Sequence, residues 1–182
     1  MNSATKNLED DHIYVLKLID IMERMTLSYE PVITDMEEAV EIIKNFADGL
    51  HHTKEESWLF PLMAERGFSI QQGPVAMMLH EHILGRNFVK EMTYNIDLFK
   101  NGDISALALV YQNMRGYSEL LRNHIAKENN VLFRMAENAL SQDDYATLLN
   151  KFQEIENQNS PNNRKKDFIA RIEKLNLIYN PA

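Results

Sequence analysis

The sequence lacks cysteine and holds few of the residues that interrupt regular structure. Among its 182 residues there are 0 Cys, 6 Gly and 5 Pro. The absence of thiols excludes disulfides, thiolate metal sites and cysteine nucleophiles, so any bound metal must be held by nitrogen and oxygen. The scarcity of glycine and proline favours long regular elements.

Basic residues are scarce relative to acidic ones. The chain has 19 Lys and Arg against 27 Asp and Glu, which gives a formal net charge of −8 at pH 7. Because nucleic-acid backbones and anionic membranes attract clustered Lys and Arg, neither is expected as a partner. The polar start MNSATKNLEDD has no apolar signal core, and runs such as ISALALVY are too short to span a bilayer. These features predict a cytoplasmic protein.

Apolar residues recur with the period of an α-helix along most of the chain, and breakers divide the pattern. The predicted helices cover roughly residues 6–28, 34–66, 74–100, 104–138, 141–156 and 164–179. The first four predict an all-α fold, an up-down-up-down antiparallel four-helix bundle over residues 1–140. Residues 141–182 are expected to form a C-terminal helical extension packed on or near the bundle, with NQNSPNN as a linker.

One ten-residue pattern occurs twice. HHTKEESWLF begins at His51 and HIAKENNVLF begins at His124, so both copies read H-x-x-K-E-x-x-x-L-F. The first and fifth positions of this pattern lie one turn apart on the same face of an α-helix. Each copy therefore stacks a histidine and a glutamate, His51 with Glu55 and His124 with Glu128.

Helical phase separates the doubled HH and EE of the first copy. At about 100° per residue, His51 and Glu55 fall on the edge of the apolar stripe of their helix. His52 and Glu56 fall on the opposite side and are expected to face solvent.

The remaining histidines divide in the same way between apolar and polar faces. His124 and Glu128 lie in the middle of an apolar stripe, and His12 and His82 lie between apolar neighbours, while His80 points away. Each half of the chain thus supplies one lone histidine and one His/Glu pair, which predicts a site with approximate twofold symmetry. The predicted inward set is His12, His51, Glu55, His82, His124 and Glu128.

A metal site explains this inward set better than a structural network does. A single histidine on an apolar face is usually a hydrogen-bonded core residue, and a purely structural polar network is the simplest alternative. An ionised carboxylate in a core is costly, however, unless it is paired or bound to metal. Imidazole and carboxylate without sulphur suit iron, manganese or zinc. Two carboxylates able to bridge suit a pair of metals, each with two imidazoles.

In order and spacing, these residues resemble the haemerythrin-type HHE cation-binding family. Its pattern of a lone His, an H-x-x-x-E pair, a second lone His and a second pair is matched over roughly residues 8–136. The resemblance implies a non-haem di-iron centre, with an oxo or hydroxo bridge, that meets a small diatomic ligand; zinc or manganese could substitute for iron. Carried over by position, the terminal ligands are His12, His51, His82 and His124, and the bridging carboxylates are Glu55 and Glu128.

The chain departs from the oxygen-carrying members of that family at one position. Those proteins have a fifth histidine one turn before the lone histidine of the third helix, where this chain has Met78. His52 and His80 are the two spare histidines that could replace it. The missing histidine argues against reversible oxygen carriage.

The resemblance implies a protein that binds or senses a small molecule such as O2 or NO, or that handles iron. The alternative is a di-iron redox enzyme that detoxifies oxygen, peroxide or nitric oxide, or that repairs iron–sulphur centres. The repair proteins commonly carry a cysteine-bearing N-terminal segment, which this sequence lacks. Ferritin-like bundles use paired E-x-x-H motifs; here Glu9 and His12 form one, but the nearest second has Asp48 before His51.

Overall fold

The computed structural model describes residues 4–157 and 164–180, and every regular element in these two ranges is a helix. No β-strand occurs in the described ranges, in agreement with the all-α prediction. The predicted linker NQNSPNN lies outside the described residues, apart from its first asparagine.

Four helical stretches carry the predicted inward residues, and each begins and ends within a few residues of its predicted bounds. The second and fourth stretches contain π-helical segments, and two further helices follow. In chain order the elements are α1 (Ala4–Met25), α2 (Ile33–Ile42), π1 (Ile43–His52), π2 (Glu55–Leu59), α3 (Phe60–Glu65), α4 (Gly73–Lys100), α5 (Ala106–Lys127), π3 (Glu128–Leu132), α6 (Phe133–Ala139), α7 (Gln142–Asn157) and α8 (Arg164–Tyr179).

Glycine and proline mark the turns between these stretches. Gly67 follows α3 with φ of 93°, and Gly102 follows α4 with φ of 100°. A side chain with a Cβ disfavours this left-handed region, so glycine allows the helix to end in a tight turn. Pro74 lies in the first turn of α4, where its missing N–H costs no intrahelical hydrogen bond.

Two apolar clusters fill the bundle and leave a polar layer between them. Along α1, His12 lies between Leu8 of the smaller cluster and Val15 of the larger one. The same order holds along α4, where His82 follows Met78 and precedes Val89. The inward polar residues are therefore enclosed by apolar side chains at both ends.

The helices pack so that the C-terminal pair covers one side of the bundle. α4 and α5 pack along one another, and α1 packs against both α5 and α8. α7 contacts α1 and π2, which places it beside the first copy of the repeated pattern. Among the described residues, no helix is both long enough and apolar enough to cross a membrane.

Candidate metal centre

Both glutamates of the repeated pattern stand at the start of a π-helical segment. The backbone N–H of Phe60 donates to the carbonyl of Glu55, and the N–H of Phe133 donates to the carbonyl of Glu128. Each of these bonds spans five residues, whereas the bonds of an α-helix span four. The two copies therefore fold alike, with a wider turn of the kind that is frequent at functional sites.

Each half of the chain brings two imidazoles together inside the bundle. Nε2 of His12 lies 3.0 Å from Nε2 of His51, and Nε2 of His82 lies 3.2 Å from Nε2 of His124. All four side chains are buried. We call the convergence of His12 and His51 the first position, and that of His82 and His124 the second position.

Glu128 lies between the two positions. Its Oε2 is 3.2 Å from Nε2 of His12, and its Oε1 is 3.2 Å from Nε2 of His124. The side chain is fully buried. One carboxylate therefore faces both positions, with one oxygen directed to each.

Glu55 is placed in the same way between the other two imidazoles. Its Oε1 is 3.6 Å from Nε2 of His51, and its Oε2 is 3.5 Å from Nε2 of His82. The side chain is also fully buried. Among the described residues, none of the four oxygens of Glu55 and Glu128 has a hydrogen-bond partner. The structure thus brings together all six residues of the predicted inward set.

The prediction that His52 faces solvent is wrong. Its side chain is 5% exposed, its ring stacks on that of His82 with centroids 3.8 Å apart, and its Nδ1 lies 3.1 Å from Oδ1 of Asp48. The wider turn of π1 makes the angle between successive side chains smaller than the roughly 100° of an α-helix, so His51 and His52 both turn inward. A donor atom of His52 lies within 4.8 Å of donor atoms of His82 and His124, so it joins the second position.

Acidic side chains contact the outer nitrogens, the Nδ1 atoms, of the two paired imidazoles at the second position. Nδ1 of His82 is 2.7 Å from Oε1 of Glu56, and Nδ1 of His124 is 3.0 Å from Oε2 of Glu81. A carboxylate at Nδ1 fixes that nitrogen as the donor and leaves the lone pair of Nε2 for a metal. Glu56 is 29% exposed but contacts a site imidazole, so the expectation that it only faces solvent is also wrong.

At the first position, an amide lies close to one Nδ1 atom and a carboxylate lies farther from the other. Nδ1 of His12 is 2.7 Å from Oδ1 of Asn129. Nδ1 of His51 lies 3.5 Å from Oδ2 of Asp11, which is long for a hydrogen bond, and it has no closer partner among the described residues. The ring of His12 is therefore oriented by a hydrogen bond from outside the site, whereas Asp11 contacts the ring of His51 only at longer range.

Burial keeps two of these imidazoles neutral. Burial, reinforced by the neighbouring His12, lowers the pKa of His51 to about 4. Burial and the neighbouring His82 lower the pKa of His52 well below its usual value. A neutral imidazole offers a lone pair to a metal, so both side chains are in the ligating form at neutral pH.

The two carboxylates respond in opposite ways to being buried side by side. Burial and the charge of Glu128 raise the pKa of Glu55 well above its usual range. Burial also opposes ionisation of Glu128, but His124 and His12 hold its pKa well below the usual range. Likewise burial disfavours the charged form of His124, yet Glu128 raises the pKa of His124 to about 9. Cations placed among these groups would allow both carboxylates to ionise, so the donor set fits bound metal.

A small pocket borders the second position. It has a volume of about 70 Å³ and is lined in part by His52, Asp48, Arg86 and Tyr117. The side chain of Arg86 is 41% exposed and donates to Asp48 at 2.9 Å and to Glu56 at 2.7 Å. Burial raises the pKa of Tyr117, so its hydroxyl stays protonated.

The sequence-based reasoning missed a layer of residues behind the imidazoles. Nζ of Lys54 lies 2.8 Å from Oδ2 of Asp11, and Lys127 forms an ion pair with Glu81. These are the lysines of the two copies of the repeated pattern. The signal was present in the sequence, because the lysine recurs at the same place in both copies and each acid directly precedes a lone histidine, in DHIYVLKL and EHILGRNF.

Comparison with known proteins agrees with this geometry. The chain matches the model of the hemerythrin HHE cation binding domain over residues 3–136, a range that includes every histidine and glutamate of the two positions. Comparisons with curated proteins and with solved structures give no significant match. The matched range covers well over half of the 182 residues. This protein therefore belongs to the hemerythrin HHE cation-binding domain family.

Proposed function

We propose that this chain binds two iron ions, one at each position, with both buried glutamates as bridging ligands. The ligands project from four helical stretches that we take to run up-down-up-down, an order that lets facing helices direct side chains into a shared interior. His52 adds a further imidazole at the second position. The full proposed ligand set is His12, His51, His52, Glu55, His82, His124 and Glu128.

The observation that carries this proposal is the division of each carboxylate between the two positions. Glu55 and Glu128 are both 0% exposed, and their oxygens have no hydrogen-bond partner among the described residues. Such a carboxylate is costly in a protein core unless a cation compensates it. A single cation would compensate one end of each carboxylate, whereas two cations compensate both ends.

The protein residues provide binding, orientation and exclusion of water. Two bound iron ions would supply a redox centre able to bind dioxygen or nitric oxide. The space beside the paired imidazoles is too small for a water molecule, and its apolar lining consists of Val15, Ala47, Leu121 and Ile125. The carboxylates and the amide at the Nδ1 atoms keep the rings directed inward.

The small size of the adjoining pocket favours a ligand of few atoms. A volume of about 70 Å³ beside His52 leaves little more room than two or three water molecules need. We therefore propose that the protein binds or senses a small molecule such as O2 or NO, or handles iron. The alternative, a redox enzyme, would be restricted by the same pocket to substrates such as peroxide or nitric oxide.

Metal analysis of protein expressed with ample iron tests the number of ions. About two irons per chain are expected. His52→Ala should lower the iron content, because it removes an imidazole from the second position. His80→Ala is the matched control and should keep both irons, since His80 is exposed on α4. One metal per chain, with zinc preferred over iron, would contradict the proposal of two iron ions that share the two glutamates.

The choice of ligand is tested on the reduced, iron-loaded protein. Addition of nitric oxide or of dioxygen under controlled conditions should change the visible absorbance, and the change should be lost in a His124→Ala variant that lacks iron at the second position. A loaded protein that responds to neither gas would contradict both proposed ligands.

A further inference from the structure

An ion cluster with a fully buried centre lies behind His51 of the first position. Lys54 and Asp11 have side chains that are 0% exposed, and Asp11 faces Nδ1 of His51. α7 and α8 complete the cluster, since Glu156 accepts a hydrogen bond of 2.6 Å from Lys54 and Nζ of Lys165 lies 2.5 Å from Oδ1 of Asp11. The C-terminal helices therefore keep water away from the outer layer of this position.

Behind the second position the acid Glu81 is only 10% exposed, but the groups that pair with it and with the other imidazole are open to solvent. Lys127 pairs with Glu81, which accepts from Nδ1 of His124, and the side chain of Lys127 is 40% exposed. Behind the other imidazole, Arg86 and Glu56 are 41% and 29% exposed. Solvent competes for exposed ion pairs and weakens them. The outer layer of the second position is therefore less firmly held.

The second position also has a route to the outside. The pocket of about 70 Å³ is lined by His52 and by the exposed Arg86. The enclosed space beside the paired imidazoles is lined by histidines of both positions and is too small for a water molecule, so it gives access to neither. Water can thus approach the second position through the pocket beside His52, which neither imidazole of the first position lines.

We infer that the two positions retain metal unequally, so that the first position keeps its ion and the second exchanges its ion with solvent. This inference rests on the proposed function, since it takes one ion to be bound at each position. Lys54 and Lys127 are positioning residues, because each acts on an imidazole through an acid and touches no proposed ligand atom directly.

Two features taken alone would favour the opposite order: the distances to the acids, and the third imidazole that His52 adds at the second position. The acid behind the first position is 3.5 Å from its imidazole nitrogen, and the acid behind the second is 3.0 Å from its own. We take burial to outweigh both features, because charges shielded from water are screened less by solvent and salt. Access of water to the second position through the pocket beside His52 also favours faster exchange there.

Release of ferrous iron to a chromogenic chelator, measured without oxygen, tests the inference. Wild-type protein should release one iron per chain in a fast phase and one in a slow phase. Lys127→Met should accelerate only the fast phase, and Lys54→Met only the slow phase. The expected acceleration is roughly 10- to 100-fold, the usual range for changes in the layer behind a metal ligand. Lys90→Met changes an exposed lysine on α4 outside both clusters and should leave both phases unchanged.

The selectivity of the two variants separates positioning from general destabilisation. A variant that only loosens the fold accelerates both phases together. If Lys54→Met does not fold, Lys165→Met removes one cation from the same cluster and should accelerate the slow phase to a smaller extent. A single release phase in the wild type, or the reverse assignment of the two lysines, overturns the inference while two irons per chain remain. A chain that never holds a second iron contradicts the proposed function instead.

Discussion

Glu55 and Glu128 are the side chains whose burial is hardest to maintain without a cation. Both are 0% exposed, and the charge of Glu128 adds to burial in raising the pKa of Glu55. Two carboxylates that share a buried site do not ionise together easily. Bound cations reverse this preference and favour both ionised forms. The two buried carboxylates are therefore expected to oppose folding in the metal-free protein and to support metal binding in the loaded protein.

Glu55→Gln is expected to stabilise the metal-free protein and to weaken metal binding. The neutral amide carries no charge beside Glu128 and takes up no proton on folding, which is worth on the order of 1 kcal/mol in the free energy of unfolding. It also removes an anionic donor that both positions share. Thermal unfolding with and without iron, together with metal analysis, measures the two effects. Glu56→Gln is the control, since Glu56 is 29% exposed and should give no such stabilisation. A loss of stability in both states would rule out this account of Glu55.

Whether a histidine side chain faces the interior of the bundle could be predicted where its helix is a regular α-helix. His12 and His82 lie within α-helices, and the apolar period alone places them inward. The inward direction of His52 could not be predicted in this way. The hydrogen bonds of π1 span five residues and change the angle between successive side chains, and the spacing of the apolar residues does not reveal this change. The set of imidazoles that the sequence predicts for the second position therefore lacks His52.

At the scale of elements, α4 and α5 approach closely at two glycines that differ in the space around them. A Cβ built on Gly116 would lie 2.6 Å from the ring of Phe88, which is an overlap. A Cβ built on Gly85 would lie 3.6 Å from the ring of Tyr117, which is an ordinary contact. A side chain at Gly116 would displace the ring of Phe88, whereas one at Gly85 would fit without any shift.

Gly116→Ala and Gly85→Ala are accordingly expected to shift stability in opposite directions. Alanine is favoured over glycine in a helix by up to about 1 kcal/mol, and Gly85→Ala should gain much of this. At Gly116 the overlap with Phe88 costs roughly 1–3 kcal/mol, which exceeds the gain. The melting temperature should therefore fall by roughly 2–4 °C for Gly116→Ala and rise slightly for Gly85→Ala. Equal gains in both variants would show that Phe88 moves aside freely.

The bounds of the helices were predictable because short-range signals mark them. Gly67 and Gly102 adopt the left-handed backbone that ends a helix, and Pro74 fits the first turn of the next one. These signals act within a few residues of sequence. The contacts of the C-terminal helices were not predictable, since the pairing of Lys54 with Glu156 joins residues far apart in the chain.

At the scale of the whole molecule, removal of metal should lower the melting temperature. The polar layer lies between two apolar clusters, so a loss of order there separates the parts of the core from one another. Metal that binds only the folded state stabilises it by about 2.7 kcal/mol when free metal is at 100 times its Kd. For a chain of this length that corresponds to roughly 5–10 °C. Thermal scans of chelator-treated and iron-loaded protein measure the difference, and identical curves would place the metal outside the bundle.

The complete burial of Lys54 also leads us to expect a particular order of events during folding. Its partners Asp11 and Glu156 lie 43 and 102 residues away in sequence. An ammonium group gives up its hydration only when compensating carboxylates are already in place. Closing a chain segment of that length is slow compared with forming the helices themselves. We therefore expect the first four helical stretches to assemble around a hydrated lysine, with α7 and α8 the last helices to gain protection from hydrogen exchange during refolding.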